Sequence, residues 1–219
     1  MATTVEARTR EQASAPATTP WYREYQRALV AAIAIAAVAA IIGWFLLVSG
    51  KRKEQFASRS LNQARAAAEA GNLPLASSEL QRLITTYKGT DAASEAVITL
   101  NQVRMVNGQS ELAVVGLREY IASKPAQKYL APAYGLLGAA LENSKRWSDA
   151  GDAYTQASNA ADLEYLKANY LVDAGRAFRE AGRNQDAERA YRTILQKYSK
   201  TPSFTEAQVR LAELTDGKM

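Results

Sequence analysis

The sequence contains neither cysteine nor histidine. This absence excludes disulfides, thiol nucleophiles, metal sites built on these residues and Ser-His-Asp catalysis. The net charge is only +5 and the charges are interspersed, whereas nucleic-acid-binding domains concentrate Lys and Arg on one face. No phosphate-binding glycine loop of the GxxxxGK[ST] or GxGxxG kind is present. The composition therefore predicts a protein that is not an enzyme, uses no cofactor or metal ion and does not bind nucleic acid.

An uncharged apolar run extends from Ala28 to Val48. These 21 residues would form a helix about 31 Å long, which matches the hydrocarbon core of a membrane. Aromatic residues lie near both ends of the run, as is typical of membrane interfaces; they are Trp21, Tyr22, Tyr25, Trp44 and Phe45. We therefore predict a transmembrane anchor helix over residues 28–48. The alternatives are a buried helix of a soluble domain and a cleaved signal peptide, whose apolar core usually runs only ~7–15 residues.

The segments on either side of the anchor differ in character. Residues 1–27 are rich in Ala, Thr and Pro and carry few large apolar side chains, so we expect a flexible tail there. Residues 52–215 are predicted to form the repeat domain described below. Lys and Arg are about equally frequent on the two sides of the run, so the charge pattern does not predict the topology.

Four alanines recur 37 residues apart in the long C-terminal part: Ala76, Ala113, Ala150 and Ala187. Five positions before them stand Gly71, Gly108, Lys145 and Gly182, and four positions after them stand Leu80, Leu117, Tyr154 and Tyr191. Such a period is typical of stacked supersecondary units. Apolar residues recur every three or four positions between the breaks, so the units are helix pairs. We predict pairs at about 52–70/73–87, 91–107/109–123, 127–143/147–160 and 163–181/184–199, then a capping helix at about 203–215.

The repeat pattern resembles the tetratricopeptide repeat (TPR) family. The third repeat carries its residues at Tyr134, Leu137-Gly138, Leu141, Ala150, Tyr154 and Ala157, and the fourth at Leu171, Ala174-Gly175, Phe178, Ala187, Tyr191 and Ile194. The second departs from it, with Asn101 at the glycine position and Arg104 at a large apolar position. The resemblance implies an α-solenoid of about four helix pairs with a C-terminal capping helix. Together with the apolar run, the sequence predicts an all-α fold in which one N-terminal transmembrane helix precedes this solenoid.

The same resemblance implies a concave groove lined by the first helices of the pairs. The family's groove positions correspond here to Arg65, Gln102, Met105, Asn143, Asn169, Arg176 and Arg179. Arg176 and Arg179 are three residues apart on one helix face and could bind a carboxylate. The alternative is a solvated face on which Arg179 pairs with an acid such as Asp186. Met105 and the adjacent Val106 could offer an adaptable apolar contact or could belong to the core.

The layout of tail, anchor and divergent repeats resembles the ancillary SecYEG translocon subunit (YfgM-type) family. The similar segments are Gly43-Trp44, KGTDAASEA at residues 88–96 and AGRNQDAERAYRTILQKY at residues 181–198. The resemblance implies a single-pass bacterial inner-membrane protein with a periplasmic repeat domain. Its partners would be translocon subunits, secretory chains or envelope proteins, bound by a chaperone-like adaptor. A scaffold for another envelope assembly and a cytoplasm-facing TPR adaptor are the alternatives.

Overall fold

The computed structural model describes residues 25–217, except for the side chain of Arg27. All regular secondary structure in these residues is helical. The chain divides into two compact units, Met1–Ser49 and Gly50–Met219. Residues 1–24, which include most of the predicted tail with Trp21 and Tyr22, lie outside the described part.

In the first unit, the described residues belong almost entirely to helix α1 (Gln26–Glu69). Its apolar part has a mean hydropathy of 2.7 and is long enough to cross a membrane. None of residues 28–48 is buried, and the Trp44 side chain is 72% exposed. The described residues therefore leave these side chains uncovered, whereas the core helix of a soluble domain is mostly buried.

The predicted anchor ends at Val48 and the predicted first repeat helix begins at residue 52, whereas α1 is one helix through residues 49–51. Ser49 and Gly50 do not interrupt it. The Ser49 hydroxyl donates a hydrogen bond to the Leu46 carbonyl at 3.0 Å, within the helix. A single glycine costs a helix only about 1 kcal/mol relative to alanine, so it does not by itself end one.

The second unit consists of antiparallel helix pairs that follow one another in sequence. The pairs are α1 from residue 50 with α2 (Leu73–Thr86), α3 (Asp91–Val106) with α4 (Ser110–Ala122), α5 (Leu130–Asn143) with α6 (Trp147–Ala160), and α7 (Glu164–Glu180) with α8 (Asn184–Lys197). Helix α9 (Ser203–Leu214) follows. The predicted helix at 127–143 begins instead as a 3₁₀ turn, Gln127–Tyr129. Pro132 lies in the first turn of α5, where its missing N–H breaks no helical bond.

The turn within each pair has the same backbone conformation. Its residue with positive φ stands five positions before the recurring alanine: Gly71 (78°), Gly108 (73°), Lys145 (57°) and Gly182 (75°). The following residue donates its N–H to a carbonyl five residues earlier, for example Arg183 to Phe178 at 2.9 Å. This is the Schellman ending of a helix, which favours glycine. Lys145 shows that one repeat tolerates a side chain there.

The core lies where the helices of a pair meet and where one pair meets the next. The four recurring alanines are 0% exposed, and Leu80, Leu117, Tyr154 and Tyr191 are also buried. In the third and fourth repeats a tyrosine ring covers a glycine of the first helix. A Cβ on Gly138 would lie 2.7 Å from the Tyr154 ring, and one on Gly175 would lie 2.5 Å from the Tyr191 ring.

In the second repeat, a different pair of residues allows the two helices to approach closely. Asn101 takes the glycine position and is only 1% exposed. It donates to the Val97 carbonyl at 2.8 Å and accepts from Arg104 at 3.0 Å, so its buried amide is satisfied. The space comes from Gly116 on the opposite helix, where a Cβ would lie 2.7 Å from Asn101 Oδ1. The departure from the TPR pattern at this position is therefore accommodated by a glycine on the second helix.

Arginines at one repeat position join the second helices of the last three pairs. Arg146 lies 3.7 Å from Glu111, and Arg183 lies 3.1 Å from Asp152. The Arg183 guanidinium also lies 4.4 Å from the centroid of the Phe178 ring. A stacked guanidinium of this kind covers apolar surface as well as pairing with an acid.

Gly175→Ala should lower the free energy of unfolding by about 1–3 kcal/mol, because the new Cβ overlaps the Tyr191 ring. The double variant Gly175→Ala/Tyr191→Leu recreates the Ala64/Leu80 pair of the first repeat and should recover part of the loss. Gly50→Ala is the control, since no atom lies within 4 Å of a Cβ there. Denaturant titration of the detergent-solubilised chain measures all three. Equal effects of Gly175→Ala and Gly50→Ala would contradict the packing described here.

Candidate protein-binding groove

The predicted groove residues lie on first helices of the pairs. Arg65 is on α1, Gln102 and Met105 are on α3, Asn143 ends α5, and Asn169, Arg176 and Arg179 are on α7. Contacts between successive first helices join residues 34 positions apart: Arg65 with Thr99, Glu142 with Arg176, Asn169 with Ser203, and Arg179 with Glu213. We call the surface that carries these contacts the groove face.

The arginines of the groove face pair with acids of the same chain. Arg65 lies 3.0 Å from Glu95, and Arg179 lies 3.1 Å from Glu213. The expected alternative partner of Arg179, Asp186, is wrong: it pairs instead with Arg183 and Arg189. The acid that pairs with Arg179 therefore belongs to α9, the next helix along the groove face, and not to the turn that follows α7.

Arg176 belongs to a larger cluster that joins three helices. It donates to Asp173 at 3.0 Å and to Glu142 on α5 at 3.3 Å. The Tyr154 hydroxyl on α6 donates to the same Glu142 carboxylate at 3.0 Å. Arg176 and Arg179 therefore do not share one carboxylate. Each has its own.

Burial controls the titration of this cluster. It raises the pKa of Glu142 above its ordinary value, against the opposing effects of Arg176 and the Tyr154 hydroxyl. Burial also raises the pKa of Asp173, again opposed by Arg176. The pKa of Tyr154 is raised by burial and, in addition, by the negative charge of Glu142. The hydrogen bonds and the ion pair thus compensate only in part for the burial of these charges, and Glu142 Oε1 accepts no hydrogen bond from the described residues.

The remaining predicted positions differ in their surroundings. Asn169 bonds to Ser203 of α9. Met105 is partly buried and packs against the core, as its alternative interpretation expected. Gln102 and Asn143 are exposed, and neither makes a side-chain hydrogen bond to another described residue. They are therefore the predicted positions most open to a partner.

An open cleft of about 400 Å³ lies on the groove face between α1 and α3. It brings Arg65 and Gln102 together, beside the Val106 side chain, which is 76% exposed. The other residues that line it are Ala68, Glu69, Leu73, Thr99 and Val103. The cleft combines apolar side chains with a cation, an acid and an amide, a composition found in ligand-binding clefts.

Sequence reasoning did not identify most of this lining. Val106 was considered only as a neighbour of Met105, and Ala68, Glu69 and Leu73 were not considered. The 34-residue relation would have found two of them, since Ala68 and Glu69 stand 34 positions before Gln102 and Val103. That relation differs from the 37-residue period, so only the structure reveals it.

Glu142→Gln should gain stability relative to the unmodified chain as the pH rises from about 4 to 7. The pKa of Glu142 is raised in the folded state, so the folded state binds this proton more tightly than the unfolded state does. Ionisation above the ordinary value of 4.5 therefore removes stability that the variant cannot lose. Denaturant titrations at several pH values measure the difference. A difference between Glu142→Gln and the unmodified chain that stays constant over this pH range would refute the assignment.

No protein-family model matches the sequence, and a comparison with curated protein sequences gives no match. Solved structures do match the fold. The MamA protein superposes with a TM-score of 0.58 at 18% identity, over 74% of this chain and 82% of its own. A kinesin-light-chain-type protein of Podosopora anserina with nearly identical TPR-like repeats gives 0.58 at 18% identity, over 73% of this chain and 85% of its own. These similarities confirm the prediction of an all-helical, TPR-like fold.

Proposed function

We propose that this protein is a membrane-anchored adaptor that binds other proteins through its groove face. The observation that carries the proposal is the open cleft between α1 and α3, with exposed Val106 and Gln102 and no helix of residues 25–217 over it. The TPR-like fold supports a role in protein–protein interaction. Binding, and not catalysis, is the proposed activity.

The anchor part of the proposal rests on the exposure of the apolar run. Its large side chains, from Leu29 to Leu47, are exposed in the described helix. Burying a side chain of this size is worth about 1.5–3 kcal/mol, so a row of them would be strongly unfavourable in water. Lipid would cover the whole circumference of such a helix, which supports a transmembrane role for residues 28–48.

The chemistry of the cleft favours an extended segment with an apolar side chain next to an acidic one. Val103, Val106 and Leu73 offer apolar surface, and the exposed Gln102 amide can bond to a peptide backbone. The Arg65–Glu95 pair is about half exposed on both sides, and exposed pairs contribute only about 0–1 kcal/mol. Arg65 can therefore exchange Glu95 for a partner's carboxylate at little cost.

Tethering makes weak binding sufficient. A groove held at a membrane meets other membrane proteins and emerging chains at a high effective concentration, which raises occupancy without further contacts. From the resemblance of the whole layout to the YfgM-type family, we propose that the repeat domain lies in the periplasm. There it would act beside the Sec translocon as a chaperone-like adaptor. A scaffold for another envelope assembly and a cytoplasm-facing adaptor are the competing functions that the experiments below distinguish.

Topology can be tested with a single cysteine, since the chain has none. Val209→Cys places a thiol on the exposed side of α9, where valine is 53% exposed. In intact cells with a permeabilised outer membrane, it should react with a membrane-impermeant maleimide. Ala207→Cys, at a 0% exposed position of the same helix, is the control and should react only after denaturation. Protection of Val209→Cys until the inner membrane is lysed would show a cytoplasmic repeat domain.

The partner can be captured from Gln102, which lines the cleft and is exposed. A photocrosslinking residue at this position should give adducts with translocon subunits and secretory chains, identified by mass spectrometry. Gln156, an exposed glutamine on the second helix α6, is the matched control and should give few adducts. A fixed set of other envelope proteins would favour the scaffold. Equal adducts from both positions would refute binding at the groove face.

A further inference from the structure

Two contacts hold the α2–α3 turn against the start of the repeat domain. Lys53 Nζ donates to the Lys88 carbonyl at 2.8 Å. The Glu54 carboxylate accepts from the backbone N–H groups of Asp91 and Ala92, both at 2.9 Å. An acid at the first N–H groups of a helix is favourable, because these groups have no partner within the helix. The turn is therefore fixed beside residues 53–54 of α1.

The turn between α4 and the next first helix lies beside the α2–α3 turn. Lys88 and Gly89 from one turn and Ser123 and Pro125 from the other line one cleft of about 290 Å³. Lys124 stands between the last two and is exposed. Two turns that are 36 positions apart in the sequence thus form one edge of the unit.

This edge is basic. We define the basic edge as Lys51, Arg52, Lys53, Lys88 and Lys124, all of which are exposed. Within residues 25–217, none of the five forms an ion pair with a carboxylate. The two acids bonded to these turns are already occupied, Glu54 by the start of α3 and Asp91 by Lys128 at 2.7 Å. The Glu54 carboxylate keeps its negative charge in these hydrogen bonds, so the five basic residues together with Glu54 carry a net charge of +4.

Chain connectivity limits the distance from this edge to the proposed membrane. Lys53 follows Val48 by five residues in the sequence, so the chain holds the two residues within about 17 Å of each other. The headgroup layer is about 5–8 Å thick on each side of the hydrocarbon core. Lys53 is therefore held within roughly one Debye length of the headgroup surface, which is about 8–10 Å at ordinary ionic strength. A negatively charged surface would attract the positive charge of the edge.

We propose that the basic edge binds the headgroups of anionic phospholipids in the membrane that holds the anchor. This proposal rests on the proposed anchor. It adds a second contact with the membrane, in which residues from two turns of the folded domain join the basic residues that directly follow the apolar run. Lys88 and Lys124 take part only because the folded domain places their turns beside residues 53–54. Contact at two turns would restrict how the repeat domain moves above the bilayer.

The test uses the full chain reconstituted in vesicles. Thr86→Cys, at the exposed last residue of α2, carries a fluorophore close to the edge. Lipids with a spin label on the headgroup quench it when the edge approaches the surface. Quenching should be roughly two-fold or more stronger with one third phosphatidylglycerol than with phosphatidylcholine alone. In about 1 M salt, where the Debye length falls to about 3 Å, the difference should disappear.

A charge-reversal pair provides the matched comparison. Lys88→Glu/Lys124→Glu should abolish the lipid preference, whereas Lys197→Glu/Lys200→Glu, with the same change of charge near the α8–α9 turn, should retain it. Equal quenching in both lipids for the otherwise unmodified labelled chain would overturn the inference, and so would a preference that survives Lys88→Glu/Lys124→Glu. Carbonate extraction of the vesicles separates the two proposals. A chain that resists extraction but shows no lipid preference refutes only the basic edge, and an extracted chain refutes the anchor and the edge together.

Discussion

Close approach of neighbouring helices at small residues is the constraint on which the repeat domain depends. The four alanines at one repeat position are fully buried, and glycines at Gly138 and Gly175 let tyrosine rings lie directly on the first helices. A side chain of any size at these points would force the helices apart, since interiors are packed as densely as crystals. The ion pairs and the contacts of the groove face join helices that are held at the resulting spacing.

The polar contacts are adapted to this spacing and do not create it. Successive first helices meet at residues 34 positions apart, three fewer than the repeat period. Residues that contact one another on the groove face therefore do not occupy equivalent positions of their repeats. At its C-terminal end, arginines and acids from adjacent repeats neutralise one another, as Arg179 and Glu213 do. Between α1 and α3 the same face leaves an open cleft with exposed Val106. The face is therefore closed by ion pairs in one region and accessible in another.

The sequence predicted the helices well because period, turn residues and apolar spacing are local properties. The bounds of α6 and α8 agree with prediction to within two residues. Prediction from the sequence failed where a residue distant in the sequence decides how a side chain packs or pairs. Asn101 departs from the family pattern, and only the contact with Gly116 explains how a buried amide fits. The alternative interpretation of Arg179 named an acid close in sequence, such as Asp186, because the sequence does not show which helix lies opposite; the structure supplies Glu213.

The sequence by itself determined the all-helical class, the position of the apolar run and the repeat register, because each is expressed in residues close together along the chain. It also excluded thiol and imidazole chemistry through the absence of both residue types. Tertiary structure alone decided which groove positions are occupied by ion pairs and which are open. It alone brought Lys88 beside Lys53. Such contacts depend on the offset between stacked helices, which packing sets and no single stretch of sequence encodes.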